Sequence, residues 1–164
     1  MAHFLLPAPA MTPTLDKIDR KILNALQDDG RLQNVELAKI VGLSPSPCLR
    51  RVKLLEDAGY IQRYAAILNP SMVDAALTVF VRVWLTGQDE KTVEAFTREV
   101  ALMDQITECH LMAGDCDFLL RVVVSDLAAY REFQVKHLTV LPIVQSVKTE
   151  IPMQVVKSTS KIAL

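Results

Sequence analysis

The chain has 164 residues, a net charge of −1, 51% hydrophobic and 23% charged residues, and five glycines. That composition excludes an intrinsically disordered chain and suits one ordinary domain or two small ones. It also denies the chain any overall basicity, so a nucleic-acid site has to come from local clusters of Lys and Arg.

The opening MAHFLLPAPAMTPT lacks a basic stretch ahead of its short apolar run, which Pro7 and Pro9 interrupt, so it does not read as a secretory signal. Residues 1–14 read as a disordered tail, with Met11 as an alternative start. Three cysteines without paired spacing make no disulfide framework, and no segment reaches the ~18 uncharged apolar residues of a membrane span. The expectation is a protein of the reducing cytoplasm with no membrane role.

LDKIDRKILNALQDDG sets Leu15, Ile18, Ile22 and Leu26 at three- and four-residue steps, which predicts a helix over 16–27. Asn34 is placed to cap a second helix over 35–41, closed by Gly42. After Gly42, Leu43 and Ser44, a third helix carries Cys48, Val52 and Leu55 on one face and stops at Gly59. Two helices joined by a short glycine-containing turn outline a helix-turn-helix, although a plain three-helix bundle fits the same pattern. YIQRYAAIL suits a two-stranded wing, and Asn69-Pro70-Ser71 reads as turn and linker.

The third helix begins unusually, at SPSPCLRRVK. Ser44 is placed to cap it, and Pro45 suits the first helical position because a proline there gives up no useful N–H. From Ser44 to Leu55 the charge is +3, from Arg50, Arg51 and Lys53. A charged helix surface is more often solvated decoration than a DNA contact. Here the turn length, the stiff entrance and a basic stretch facing away from the core favour a reading head, with Ser46, Pro47 and Arg50 at its tip. Arg50 is the expected guanine or phosphate contact, and Arg51 is suited to hold a carboxylate of the first helix.

From residue 76 the pattern changes. ALTVFVRVWL alternates Val79, Val81, Val83 and Leu85 against Phe80, Arg82 and Trp84, as a strand does. KTVEAFTREVA fits a helix, QITECHLM and DFLLRVVV fit strands around Ala113-Gly114-Asp115, DLAAYREFQVKHL fits a helix and SVKTEIPMQVV a last strand. The order βαββαβ is the ferredoxin-like split βαβ, with both helices on one face of an antiparallel sheet. The other face needs cover, which its apolar alternation suggests a partner subunit supplies. The whole is an α+β chain with a helix-turn-helix domain at 15–68, a linker at 69–75 and the ferredoxin-like domain at 76–164.

The segment LDKIDRKILNALQDDGRLQNVELAKIVGLSPSPCLRRVKLLEDAGYIQRYAAILNP resembles the DNA-binding domain of the leucine-responsive regulatory protein / asparagine regulator (Lrp/AsnC) family, the feast/famine regulators. ECHLMAGDCDFLLRVVV resembles that family's effector domain. The resemblance spans about 15–151 and implies a winged helix-turn-helix transcription regulator that binds double-stranded DNA. It also implies dimerisation through the βαββαβ domain, dimers assembled into octamers or similar rings, and a small effector, usually an amino acid such as leucine or methionine. On that basis the DNA-binding set is Asn34, Ser44, Ser46, Pro47, Arg50, Arg51 and Lys53. The implied effector set is Gly114, Asp115 and Asp117, with Leu111 and Thr149 as weaker carry-overs. From the residues alone, Asp115 and Asp117 read first as turn chemistry, and only the resemblance reverses that order. Cys116 and Phe118 stand where the family's motif commonly carries aromatic residues.

Rival readings are thinner. An enzyme needs a nucleophile with a base or a metal site, and the only histidines are His3, His110 and His137; Cys109 and His110 are strand neighbours that point to opposite faces. No catalytic residue and no cofactor is expected. A metal sensor using Cys109, His110 and Cys116 is one alternative, although the paired ligand spacing of zinc sites is lacking and buried structural cysteines are the commoner account. An amino-acid-binding scaffold that no longer touches DNA is the other.

Overall fold

The computed structural model describes residues 14–164, so the expected tail falls outside the described residues except for Thr14. The chain divides into two units: the residues up to Ala66 together with Lys157–Leu164, and Ile67–Val156.

The first unit is helical: α1 spans Lys17–Asp28, α2 Asn34–Val41 and α3 Pro45–Asp57. Asp16 starts α1 with a capping box, its side chain accepting from the Ile18 and Asp19 N–H groups at 2.7 Å while Asp19 accepts from the Asp16 N–H at 3.2 Å. The helical period brings Ile22, Leu23, Leu37, Ala38, Val41, Cys48 and Leu55 into one core, with Ile18, Leu26 and Val52 packed around it. Gly42 and Gly59 follow α2 and α3 at φ of 75° and 77°, a conformation that costs a side chain energy. At each, the next residue's N–H reaches back into the last turn, Leu43 to the Ala38 carbonyl and Tyr60 to the Leu55 carbonyl, both at 2.9 Å. This glycine stop points the chain sharply away from the helix axis.

Residues 61–69, where the wing is expected, carry no strand of their own. Among the described residues no second strand supplies ladder bonds to this short apolar run.

The second unit is a four-stranded antiparallel sheet of order β2-β3-β1-β4, from β1 at Leu77–Leu85, β2 at Ile106–Leu111, β3 at Phe118–Val124 and β4 at Val144–Glu150. Helices α4, Glu90–Val100, and α5, Leu127–Phe133 with a wider π turn through Leu138, connect them. Val79, Val81 and Val83 of β1 pair with Val122, Leu120 and Phe118 of β3 in that order, and all lie in one core with Phe96, Val100, Tyr130, Phe133 and Leu138 from the helices. Phe96 and Phe118 meet with ring centroids 4.7 Å apart. Cutting the fully buried Phe96 back to alanine would cost about 3–5 kcal/mol, the transfer energy plus the cavity. The opposite face carries Phe80, Arg82, Trp84, Leu119 and Arg121, all half-buried. The last strand is shorter than its sequence pattern suggests: it ends at Glu150, and Pro152, which has no ladder donor, follows.

Candidate DNA interface and effector site

The start of α3 is built differently from a capped helix. Ser44 occupies the cap position, yet its side chain accepts no hydrogen bond. Of the two N–H groups such a cap can serve, on the second and third helical residues, the third is lost to Pro47 and only that of Ser46 remains. Asn34 is not a cap either. It is the first residue of α2, and its side-chain amide donates to the Pro45 carbonyl at 2.8 Å, tying the entrance of α3 to the start of α2. Its Oδ1 is buried without a hydrogen-bond partner among the described residues.

Ser46, Pro47, Arg50 and Lys53 are exposed, while Cys48 and Leu55 are buried on the opposite side of α3. Arg50 and Lys53 form no ion pair among the described residues. Arg51 behaves as its position suggested, with one guanidinium nitrogen 2.7 Å from both Asp16 and Asp19. The Asp19 N–H first, then Arg51, hold the Asp16 carboxyl below its ordinary value. One arginine therefore fastens α3 to α1 while the next faces outward.

In the sheet unit, the loop from Met112 to Asp117 is held at both ends: the Met112 N–H donates to the Asp117 carbonyl at 2.9 Å and the Asp117 N–H to the Val83 carbonyl at 3.0 Å. Asp117 is buried, and its two oxygens accept from the Leu85 N–H and the Gln88 side-chain amide, each at 2.7 Å. It fixes the loop to the end of β1. Asp115 is exposed; one oxygen lies 3.4 Å from Arg82, and its carbonyl accepts from the Trp84 indole. A side chain at Gly114 would meet nothing within 4 Å, and Leu111 is exposed. Thr149 bonds the Tyr130 hydroxyl at 2.6 Å, on the helix side of the sheet.

A shallow cavity of about 250 Å³ lies beside this loop, with Phe80, Arg82, Met112, Asp115, Cys116, Leu119 and Glu150 in its wall. Arg82 sits between Asp115 and Glu150, 3.4 Å from each. Sequence reading missed Arg82 and Glu150. The signal available was a lone arginine in the apolar outward stripe of β1, which asks for a carboxylate on a neighbouring strand. An apolar wall with a guanidinium and two carboxylates offers partners to both ends of a zwitterion.

Among the described residues no three His, Cys, Asp or Glu side chains come together to hold a metal. Cys116 is buried in the loop, Cys109 is exposed on β2 contrary to the buried role expected of it, and His110 pairs with Glu108 at 3.4 Å.

Residues 15–62 match the winged helix-turn-helix DNA-binding family and residues 78–162 the Lrp/AsnC ligand binding domain. The chain is 47% identical over 150 residues to the leucine-responsive regulatory proteins of Escherichia coli K12 and Salmonella typhimurium, covering 92% of either partner. It is similar to a Neisseria meningitidis transcriptional regulator solved with L-methionine, at TM-score 0.88 and 39% identity over 92% of this chain and 97% of that one. An AsnC family transcriptional regulator of Agrobacterium tumefaciens aligns at TM-score 0.86 and 37% identity, over 91% and 97%.

Proposed function

The chain belongs to the Lrp/AsnC family, DNA-binding transcriptional regulators with a ligand-binding domain, and from that premise we propose that α3 reads DNA through Ser46, Pro47, Arg50 and Lys53 while the sheet unit senses an amino acid. The observation that carries this reading is the outward face of α3, cationic at Arg50 and Lys53 in its middle turns, stiffened at its start by two prolines and fastened from behind by Arg51 and Asn34. A rigid helix tip with an arginine suits the major groove, where a guanidinium can pair with guanine O6 and N7. Arg51 and Asn34 act as positioning residues, and Ser44 lies beside the tip.

The effector enters the cavity beside the 112–117 loop. Arg82 receives its carboxylate, Asp115 and Glu150 its ammonium, and Phe80, Met112 and Leu119 its side chain. Asp117, Gly114, Leu111 and Thr149 shape the surroundings rather than contact it. Leucine and methionine are the first candidates, given the leucine-responsive relatives and the neighbour that holds L-methionine. The chain works as a homodimer assembled into an octamer or similar ring in the cytoplasm, where several reading heads compensate for a net charge of −1 by avidity.

Two titrations test this. Binding to a DNA fragment, followed by fluorescence anisotropy over a salt series, should show a steep loss of affinity with salt. Absence of binding at low salt to any sequence would sink the DNA reading. A melting-temperature screen against the twenty amino acids should single out a ligand that stabilises the fold, and Arg82→Ala should abolish that shift.

A further inference from the structure

The end of the chain does not stay with the sheet unit. After β4 the chain runs through residues 151–156, and Lys157–Leu164 joins the helical unit. There Gln27 of α1 grips one residue from both sides: its amide nitrogen donates to the Ile162 carbonyl at 3.1 Å and its oxygen accepts from the Ile162 N–H at 2.7 Å. Lys161 pairs with Asp28 beside it.

The end of α1 explains why a cation comes here. The helix closes on Asp28 and Asp29 with no basic residue in its last turn, which places two carboxylates at the negative end of the helix dipole. KSTSKIAL carries Lys157 and Lys161 and no acid. The tail thus supplies from elsewhere in the chain the positive charge that α1 lacks. Its contacts are exposed, and exposed pairs of this kind are weak, so the attachment opens readily. At its other end the same stretch of chain begins at Glu150, which lines the cavity and pairs with Arg82.

We propose that residues 157–164 are a releasable clasp on α1, through which a ligand that engages Arg82 and Glu150 alters how firmly α1, and with it the Arg51-fastened reading helix, is held. This inference rests on the effector reading above for its trigger, but the clasp itself does not.

Hydrogen exchange of the full chain tests the clasp without any ligand. Lys161→Glu should speed exchange of the amides in the last turn of α1 about fivefold. Gln27→Ala, which removes both bonds to Ile162, should do the same, and Lys161→Arg, which keeps the cation, should leave the slow rate unchanged. Unchanged exchange in Lys161→Glu and Gln27→Ala, or a speeding in Lys161→Arg as large as in Lys161→Glu, overturns the clasp. The coupling is read from DNA affinity with and without the amino acid that shifts melting. Lys161→Glu should keep the melting shift and lose most of the ligand-dependent change in affinity. A full change retained overturns the coupling, and sedimentation of the same samples shows whether assembly has altered instead, which would equally overturn it. If no amino acid shifts wild-type melting, the effector reading falls, the proposed trigger falls with it, and the clasp stands or falls on exchange alone.

Discussion

Replacing Arg50 by alanine is expected to weaken specific DNA binding by about 1–3 kcal/mol and to lower the salt slope by about one. Arg51→Ala should lower the melting temperature of the helical unit and leave the salt slope unchanged, because its guanidinium serves Asp16 and Asp19. Equal salt slopes for wild type and Arg50→Ala, or a lowered slope for Arg51→Ala, would reverse the two assignments. Asp117 gives a second test at this scale. Asp117→Ala leaves the buried Leu85 N–H without its acceptor and should cost about 1–3 kcal/mol in urea unfolding. A loss of ligand binding at unchanged stability would instead make Asp117 a ligand contact. These assignments differ in how far the sequence reveals them. Arg51 is legible because helical spacing puts it beside the core face, within reach of an acidic helix start. The use of Asp117 is not, since its partners, Leu85 and Gln88, lie about 30 residues away in sequence and only the β1–β3 register brings them near.

Helices α1, α4 and α5 each begin on an aspartate, Asp16, Asp89 and Asp126, whose carboxyl is held below the ordinary 3.8. The largest cause is the Asp19 N–H at Asp16, the Thr92 hydroxyl at Asp89 and the Ala129 N–H at Asp126. A depressed folded-state value stabilises the fold fully above the unfolded value and is lost as pH falls through the folded one. Melting temperature should therefore fall on acidification below about pH 4, and Asp126→Asn, which keeps a neutral cap, should flatten that fall. An identical pH profile would remove Asp126 from the account. The glycines separate in the same way. Gly42→Ala and Gly59→Ala should each cost about 1–2 kcal/mol from positive φ alone, while Gly114→Ala should be close to neutral in stability. Helices and strands with strong periodicity are legible in this sequence, from Ile18 and Ile22 in α1 to the valines of β1. What periodicity does not carry is pairing: the segment after Tyr60 looks like a strand but has no strand partner among the described residues, and the Ser44 cap, deprived by Pro47 of one of the two donors it could serve, makes no bond.

For the whole molecule, the uncovered sheet face poses the larger question. Phe80, Trp84 and Leu119 lie there among Arg82, Arg121, Lys148, Glu108 and Glu150, and the charged groups pair within the face, Arg121 with Glu108 and Arg82 with Glu150 at 3.4 Å each. A face with apolar centres and internally neutralised charges suits an identical partner, since a two-fold contact places each residue type against the same surface. Phe80→Asp tests this with effector left out, because Phe80 also lines the cavity. The side chain is half-buried in the single chain, so the change should leave the protomer folded, whereas an interface would have to bury an unpaired carboxylate. Analytical ultracentrifugation should then show a smaller assembly with wild-type far-UV circular dichroism. Because a net charge of −1 leaves each reading head only locally basic, DNA affinity should fall with the loss of avidity even though α3 is untouched. An unchanged assembly at unchanged DNA affinity would place the subunit contact elsewhere on the surface.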